Sequence, residues 1–172
     1  RYGINAKGIE QDAKTIEELR RHLKKWTKLH RIKHQLKEGS IGAAKKKNVG
    51  KFIDITLPES TLKVTIGDSR DAPELLKGET FDLLIADLPY GVQHFTTSKT
   101  RNPIAVVQEA LPGWGQCLKK NGAIVLAFNS NLPKRKALLA TFVDAGFKAL
   151  DFSAPHRMSE SILRDVVVLQ KG

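Results

Sequence analysis

Apolar positions along this chain follow two periods. From Ile16 through Leu19, Leu23 and Trp26 to Leu29 or His30 they recur every three or four residues, the single stripe of a long helix, and Asp12 stands where a carboxylate caps a first turn. Arg20, Arg21, Lys24, Lys25, Lys28 and Arg31 fall largely on the other sides, so Trp26 is expected in the core. Elsewhere the apolar residues form short runs, at positions 4–10, 52–57, 62–66, 81–86, 123–128, 149–152 and 166–169, which predict strands. Pro73 opens a short helix. Residues 104–118 have helical spacing, with a bend or break expected at Pro112-Gly113 and a stop at Asn121-Gly122. Residues 132–145 form a helix that Asn131 is placed to cap and Gly146 to end.

Strands alternating with helices mean an α/β fold, specifically a Rossmann-like, doubly wound, mostly parallel sheet. The last two strands, joined without a helix, add an antiparallel C-terminal edge strand. One domain spanning residues 1–172 accommodates all of this. Residues 38–51, with three glycines and a run of three lysines, read as a mobile basic loop.

The most informative run is at 81–86. Four consecutive apolar residues there predict a strand buried on both faces, and Asp87-Leu88-Pro89-Tyr90-Gly91 follows at its carboxyl end. That edge of an α/β sheet is where ligands bind, although an acid followed by proline and glycine is also ordinary turn material. Two other predicted strands end in an acid: Glu10, followed by Gln11, and Asp68, followed by Ser69. Each acid alone serves equally well as a cap. Three at successive strand ends describe an adenosine pocket, in which one carboxylate accepts from both ribose hydroxyls and another from the adenine amine.

Charge adds a partner. The net charge is +11, and residues 14–51 hold thirteen Lys or Arg against Glu17, Glu18 and Glu38. Such a surface attracts polyanions, nucleic acid foremost, and is equally compatible with a solvated helix face and a basic loop. The single cysteine, Cys117, excludes an internal disulfide, and no Cys/His cluster has metal-ligand spacing. A metal-free protein in a reducing, cytoplasmic setting is expected, with no membrane span.

Gly8-Ile9-Glu10, Gly67-Asp68-Ser69 and Asp87-Leu88-Pro89-Tyr90 resemble three consecutive motifs of class I S-adenosylmethionine-dependent methyltransferases that modify nucleobase amines. The pattern is most similar to the tRNA guanine-N2 methyltransferases often attached to THUMP domains, and the resemblance runs over essentially the whole chain. It implies S-adenosylmethionine as cofactor, held by Glu10, Gln11, Asp68, Ser69 and Asp87. It implies that Asp87 and a backbone carbonyl at Leu88 or Pro89 accept the two amino hydrogens, turning the nitrogen lone pair toward the methyl group, while Tyr90 stacks on the base. His94, Asn129 and Arg157 are further candidates for the substrate.

In two respects the chain departs from the family. Leu88 stands where proline is common, and the glycine-rich turn after a first strand is expected upstream of Arg1, where an RNA-binding domain could also lie. The alternatives are ribosomal RNA or adenine in DNA as substrate, or a nucleic-acid-binding module of the same fold without catalysis.

Overall fold

The computed structural model describes residues 3–41, 49–88 and 103–172. It divides into two units, Arg1–Lys77 and Gly78–Gly172, each described by itself.

In the first unit, β1 (Asn5–Glu10) leads through Asp12 into α1 (Ala13–Leu29), followed by β2 (Gln35–Ser40), β3 (Lys51–Thr56) and β4 (Thr61–Ile66). The sheet order is β1-β4-β3-β2. β1 and β4 run parallel, while β3 pairs antiparallel with both β4 and β2. Asp12 caps α1 as expected, its carboxylate accepting from the Lys14 backbone N–H at 2.8 Å. The helix packs Ile16 on Ile53 and Ile66, with Ala13, Leu23, Leu36 and Val64 around them.

Two expectations change here. Trp26 is 39% exposed, and Thr27 takes the buried position. Its hydroxyl donates to the Leu23 carbonyl at 2.9 Å, which meets the polar demand that burial creates. Part of the expected loop at 38–51 is strand: Glu38–Ser40 belong to β2 and Lys51 to β3, and residues 42–48 lie outside the described residues.

Gly50 holds the return from that connection. Its φ is +82°, and a Cβ there would stand 2.7 Å from the Ile41 carbonyl oxygen. Its N–H donates to the Ile66 carbonyl, and its own carbonyl accepts from the Ile41 N–H, both at 2.8 Å. Gly50→Ala combines left-handed strain with a backbone clash and is expected to cost about 1–3 kcal/mol. Urea unfolding checks this, with an unchanged midpoint as the contrary result.

After a 3-10 turn at Ser69–Asp71 and the short helix α2 (Ala72–Leu75), the second unit begins with β5 (Phe81–Asp87). It continues through α3 (Pro103–Gln116), β6 (Leu118–Asn129), α4 (Arg135–Asp144), β7 (Phe147–Leu150), β8 (His156–Arg157) and β9 (Leu163–Lys171). The sheet order is β5-β6-β9-β7, with β8 pairing β9. β5 and β6 are parallel, and β9 is antiparallel to β6, β7 and β8. One face buries Ile124, Leu126 and Phe128 beside Val167 and Leu169, and Leu138 and Phe142 are also fully buried. Phe142 meets Phe147 edge-on with ring centroids 5.9 Å apart.

Both sheets are therefore mixed, where the sequence pattern predicts a mostly parallel one. The C-terminal strand β9 does not form the edge; it lies between β6 and β7. β5 is not buried on both faces, since Leu83 and Ile85, on one side of the strand, are 48% and 73% exposed, and it is also the edge strand of its sheet. α3 runs unbroken through Pro112, burying Val107, Ala110, Leu111 and Trp114 on one side. β6 starts at Leu118, with Asn121 at φ +62° carrying the strand past Gly122 where a stop is predicted. α4 begins after Lys134, and Asn131 does not cap it. Gly146 does take the left-handed position expected after that helix, at φ +86°.

Cys117 sits buried between α3 and β6. Its N–H donates to the Gly113 carbonyl and its carbonyl accepts from the Phe81 N–H. Burial pushes its thiol pKa up. Among the described residues no helix is long and apolar enough to cross a membrane.

Candidate active site

In the first unit the site grows from the parallel pairing of β1 and β4. Their register ends at Glu10 opposite Ile66, and the Gly67 N–H donates to the Glu10 carbonyl at 3.0 Å, so the two chains leave the sheet side by side. Gly67 fits because a Cβ there would stand 2.4 Å from the Leu75 Cδ1, in the space that the buried Leu75 of α2 occupies. Glu10, Gln11, Asp68 and Ser69 are thereby brought to one edge. Gln11 Nε2 donates to Asp68 Oδ2 at 2.6 Å, and Glu10 Oε1 accepts from the Asp12 N–H at 2.9 Å.

Asp68 also caps the 3-10 turn that begins at Ser69. Its Oδ1 accepts from the Arg70 N–H at 2.9 Å, and the Arg70 guanidinium reaches both oxygens, at 3.0 and 2.7 Å. Partial burial works against the charged form of Asp68. The hydrogen bonds and charge of Arg70, with Gln11, outweigh it and hold the carboxyl below its ordinary pKa. At neutral pH Asp68 is thus anionic, and its two oxygens accept four donors, three from Arg70 and one from Gln11, so a ligand hydroxyl reaches them by displacing one of these.

In the second unit a corresponding edge forms at the carboxyl ends of β5 and β6. Asp87 pairs with Ala127, Asn129 stands opposite Arg164 across β6 and β9, and Arg164 pairs in turn with His156 on β8. An Arg164 terminal nitrogen donates to Asp87 Oδ2 at 3.2 Å, and both side chains remain substantially exposed. Leu88 is buried, and its N–H donates to the Ala127 carbonyl at 2.9 Å, which fixes the backbone directly after Asp87.

Asn129 is buried and committed within the unit. Its amide donates to the Ser161 carbonyl at 3.2 Å, and its oxygen accepts from the Asn131 and Leu163 N–H groups. Arg157 lies exposed on β8 opposite Leu163. Pro89, Tyr90 and His94 lie outside the described residues.

Composition and spacing do not reveal the Arg164–Asp87 pair, whose members are 77 residues apart, or a network at Asp165. Asp165 stands opposite Phe128 on the buried face and is 5% exposed. It accepts from Arg135 Nη1 at 2.8 Å, Ser153 Oγ at 2.9 Å, and the Ala154 and Val166 N–H groups at 2.8 Å. Arg135 also donates to the Val166 and Phe152 carbonyls. Burial disfavours the charge on Asp165, and the two backbone N–H groups, Ser153 and Arg135 overcome that and lower its pKa.

A groove of about 950 Å³ also opens in the second unit, lined by Leu111, Gly115, Ala140, Phe147 and Lys171 among others. It lies by the start of β6, the opposite end of that strand from Asn129, and no cluster of titratable groups converges on it.

No family model matches the chain, and no curated protein matches it. Solved structures do. SMU.1697c from Streptococcus mutans, a candidate methyltransferase in complex with SAH, aligns over 96% of this chain and 75% of its own, with a TM-score of 0.56 and 11% identity. An rRNA methylase from Streptococcus thermophilus aligns over 97% of this chain and 73% of its own, with a TM-score of 0.53 and 9% identity. The chain has a methyltransferase fold. TrmN from Thermus thermophilus is 20% identical over 64% of this chain, with a TM-score of 0.47. The chain spans 29% of that protein's length.

Proposed function

We propose that the chain is the catalytic domain of an S-adenosylmethionine-dependent methyltransferase that modifies the exocyclic amine of a nucleobase in RNA, specifically guanine in tRNA. The observation that carries this reading is the acidic edge of the first unit. Parallel pairing delivers Glu10 and Asp68 to one edge, and Arg70 with Gln11 keeps Asp68 an anionic acceptor. Two carboxylates with a carboxamide between them suit the hydroxyls and the amine of adenosine. On this reading Glu10, Gln11, Asp68 and Ser69 hold the adenosyl group, which when bound carries an electrophilic methyl on sulfur.

Asp87 then acts as acceptor for the amine, helped by a backbone carbonyl of the Leu88-Pro89 segment. An amine conjugated with a purine ring has a delocalised lone pair. Hydrogen bonds to both of its protons localise that pair and aim it, so that catalysis rests on holding nitrogen and carbon in line. Tyr90 and His94 contact the base, and Arg157 a phosphate. The single-domain reading of residues 1–172, a doubly wound sheet completed by an upstream strand and glycine-rich turn, an upstream RNA-binding domain and a cytoplasmic setting belong to the same proposal.

The test uses calorimetry of the full chain with S-adenosylmethionine, together with transfer of labelled methyl groups to unmodified tRNA. Removing one charged acceptor costs about 1.5–3 kcal/mol, so Asp68→Ala is expected to weaken cofactor binding roughly 10- to 100-fold. Wild-type affinity in that variant, or no heat and no methyl transfer in the wild type, overturns the reading.

A further inference from the structure

The C-terminal half of α1 has no part in the chemistry above, yet it carries the most lopsided charge in the chain. Between Arg20 and Lys37 there are eight Lys or Arg, three His, and no Asp or Glu. A helix dipole favours a cation or two in the last turn. Eight basic residues in eighteen exceed that requirement. Arg20 is accounted for, since it is partly buried and its Nε donates to Glu17 at 2.9 Å. Arg21, Lys24, Lys25 and Lys28 are exposed, and none lies within 4 Å of a carboxylate among the described residues.

At one rim of the exposed face stands Trp26, displaced from the core position its spacing predicts, with His22, Leu29 and His30 three or four residues from it along the chain. It is 39% exposed and meets the His30 ring at an inclination of 56°, with ring centroids 5.5 Å apart. Leu29, next to them on the helix surface, is 72% exposed. A part-exposed tryptophan beside a histidine, at one rim of a helix face that carries Lys25, Arg21 and Lys28 further round, offers the two features that single-stranded nucleic acid uses. Cations follow the phosphates, and an aromatic face receives an unpaired base.

We infer that the exposed face of α1 is a docking surface for single-stranded RNA, with Trp26, beside His30, stacking on an unpaired base at one rim and Lys25, Arg21, Lys28 and Lys24 following round the helix on the phosphates. The inference rests on the RNA-directed reading proposed above and assigns that substrate a second contact outside the acidic edges. Charge complementarity selects the polyanion, and the exposed aromatic pair selects single strand over duplex, whose bases are already stacked.

The experiment titrates the full chain with a labelled single-stranded RNA oligonucleotide and with a duplex of equal length at several salt concentrations, following tryptophan emission. Trp114 is 4% exposed, so Trp26 is the tryptophan a bound base can quench. The expected result is preference for the single strand, with quenching that Trp26→Phe abolishes. Trp26→Ala should weaken binding by roughly five- to a hundred-fold. Lys24→Glu, Lys25→Glu and Lys28→Glu together should weaken it further and flatten the log–log salt slope by about two.

Circular dichroism verifies that these surface variants remain folded. Equal affinity for duplex, quenching that persists in Trp26→Phe, or binding by the triple variant within two-fold of wild type overturns the inference, as does a partner protein that competes for α1 while RNA does not bind. Loss of methyl transfer with this binding intact would strike the catalytic reading alone.

Discussion

Asp87→Ala is expected to lower methyl transfer to unmodified tRNA by roughly 10²–10³-fold, the usual penalty for removing one preorganised polar partner of a reacting group. The carboxylate stands at the last position of β5, with Arg164 on Oδ2 and the following residue tied to Ala127, so its direction is fixed by the sheet. Asp87→Asn is the milder variant, because it keeps the shape and an amide oxygen as acceptor and removes only the charge, so it should retain more activity than Asp87→Ala. Both variants should fold like the wild type, since Asp87 is exposed and its pairing with Arg164 is a surface contact of small energetic weight. Labelled transfer under single-turnover conditions makes the measurement, and undiminished activity in Asp87→Ala would remove the mechanism.

Asp165→Ala should have the largest effect on stability. Its carboxylate is buried and accepts from three elements, so its loss leaves the Arg135 guanidinium without its counter-charge and the Ser153 and Ala154 donors without a partner. Breaking a buried pair in this way costs about 3–5 kcal/mol, which in a chain of this size lowers the melting temperature by roughly 10 °C. The pH dependence has a definite sign. The folded pKa of Asp165 is depressed, so its contribution is fully present above the unfolded value near about 4 and is lost as pH falls through the folded value. Wild-type stability should therefore decline on acidification, and the Asp165→Ala variant should lose that part of the decline. Thermal melts at descending pH check both statements, and parallel curves for the two proteins would contradict them.

What the sequence makes legible is what local pattern controls. The stripe Ile16–Leu23 and the cap at Asp12 define α1, and the unbroken run before Asp87 defines β5. The three acids do lie at strand ends. What stays hidden depends on partners distant in the chain. β2 has one partly buried apolar side chain, Leu36, and exists because β3 offers it an edge to pair with. Trp26 and Thr27 differ by one step around the helix, and periodicity cannot decide which of two adjacent residues the sheet accepts. Asn121-Gly122 reads as a stop, yet β6 carries through it as an irregularity, its pairing with β5 jumping from Phe81–Leu118 to Leu83–Ala123. Asp165 reads as the last polar residue before a short strand, since its partners Arg135 and Ser153 lie 30 and 12 residues away.

Cys117 offers a way to watch the second unit open. The thiolate is the species that alkylating reagents attack, and enclosure between α3 and β6 both shields the sulfur and keeps its proton on. As the chain's one sulfhydryl, it makes the rate of labelling a clock for the loosening of that corner, read without introducing any probe.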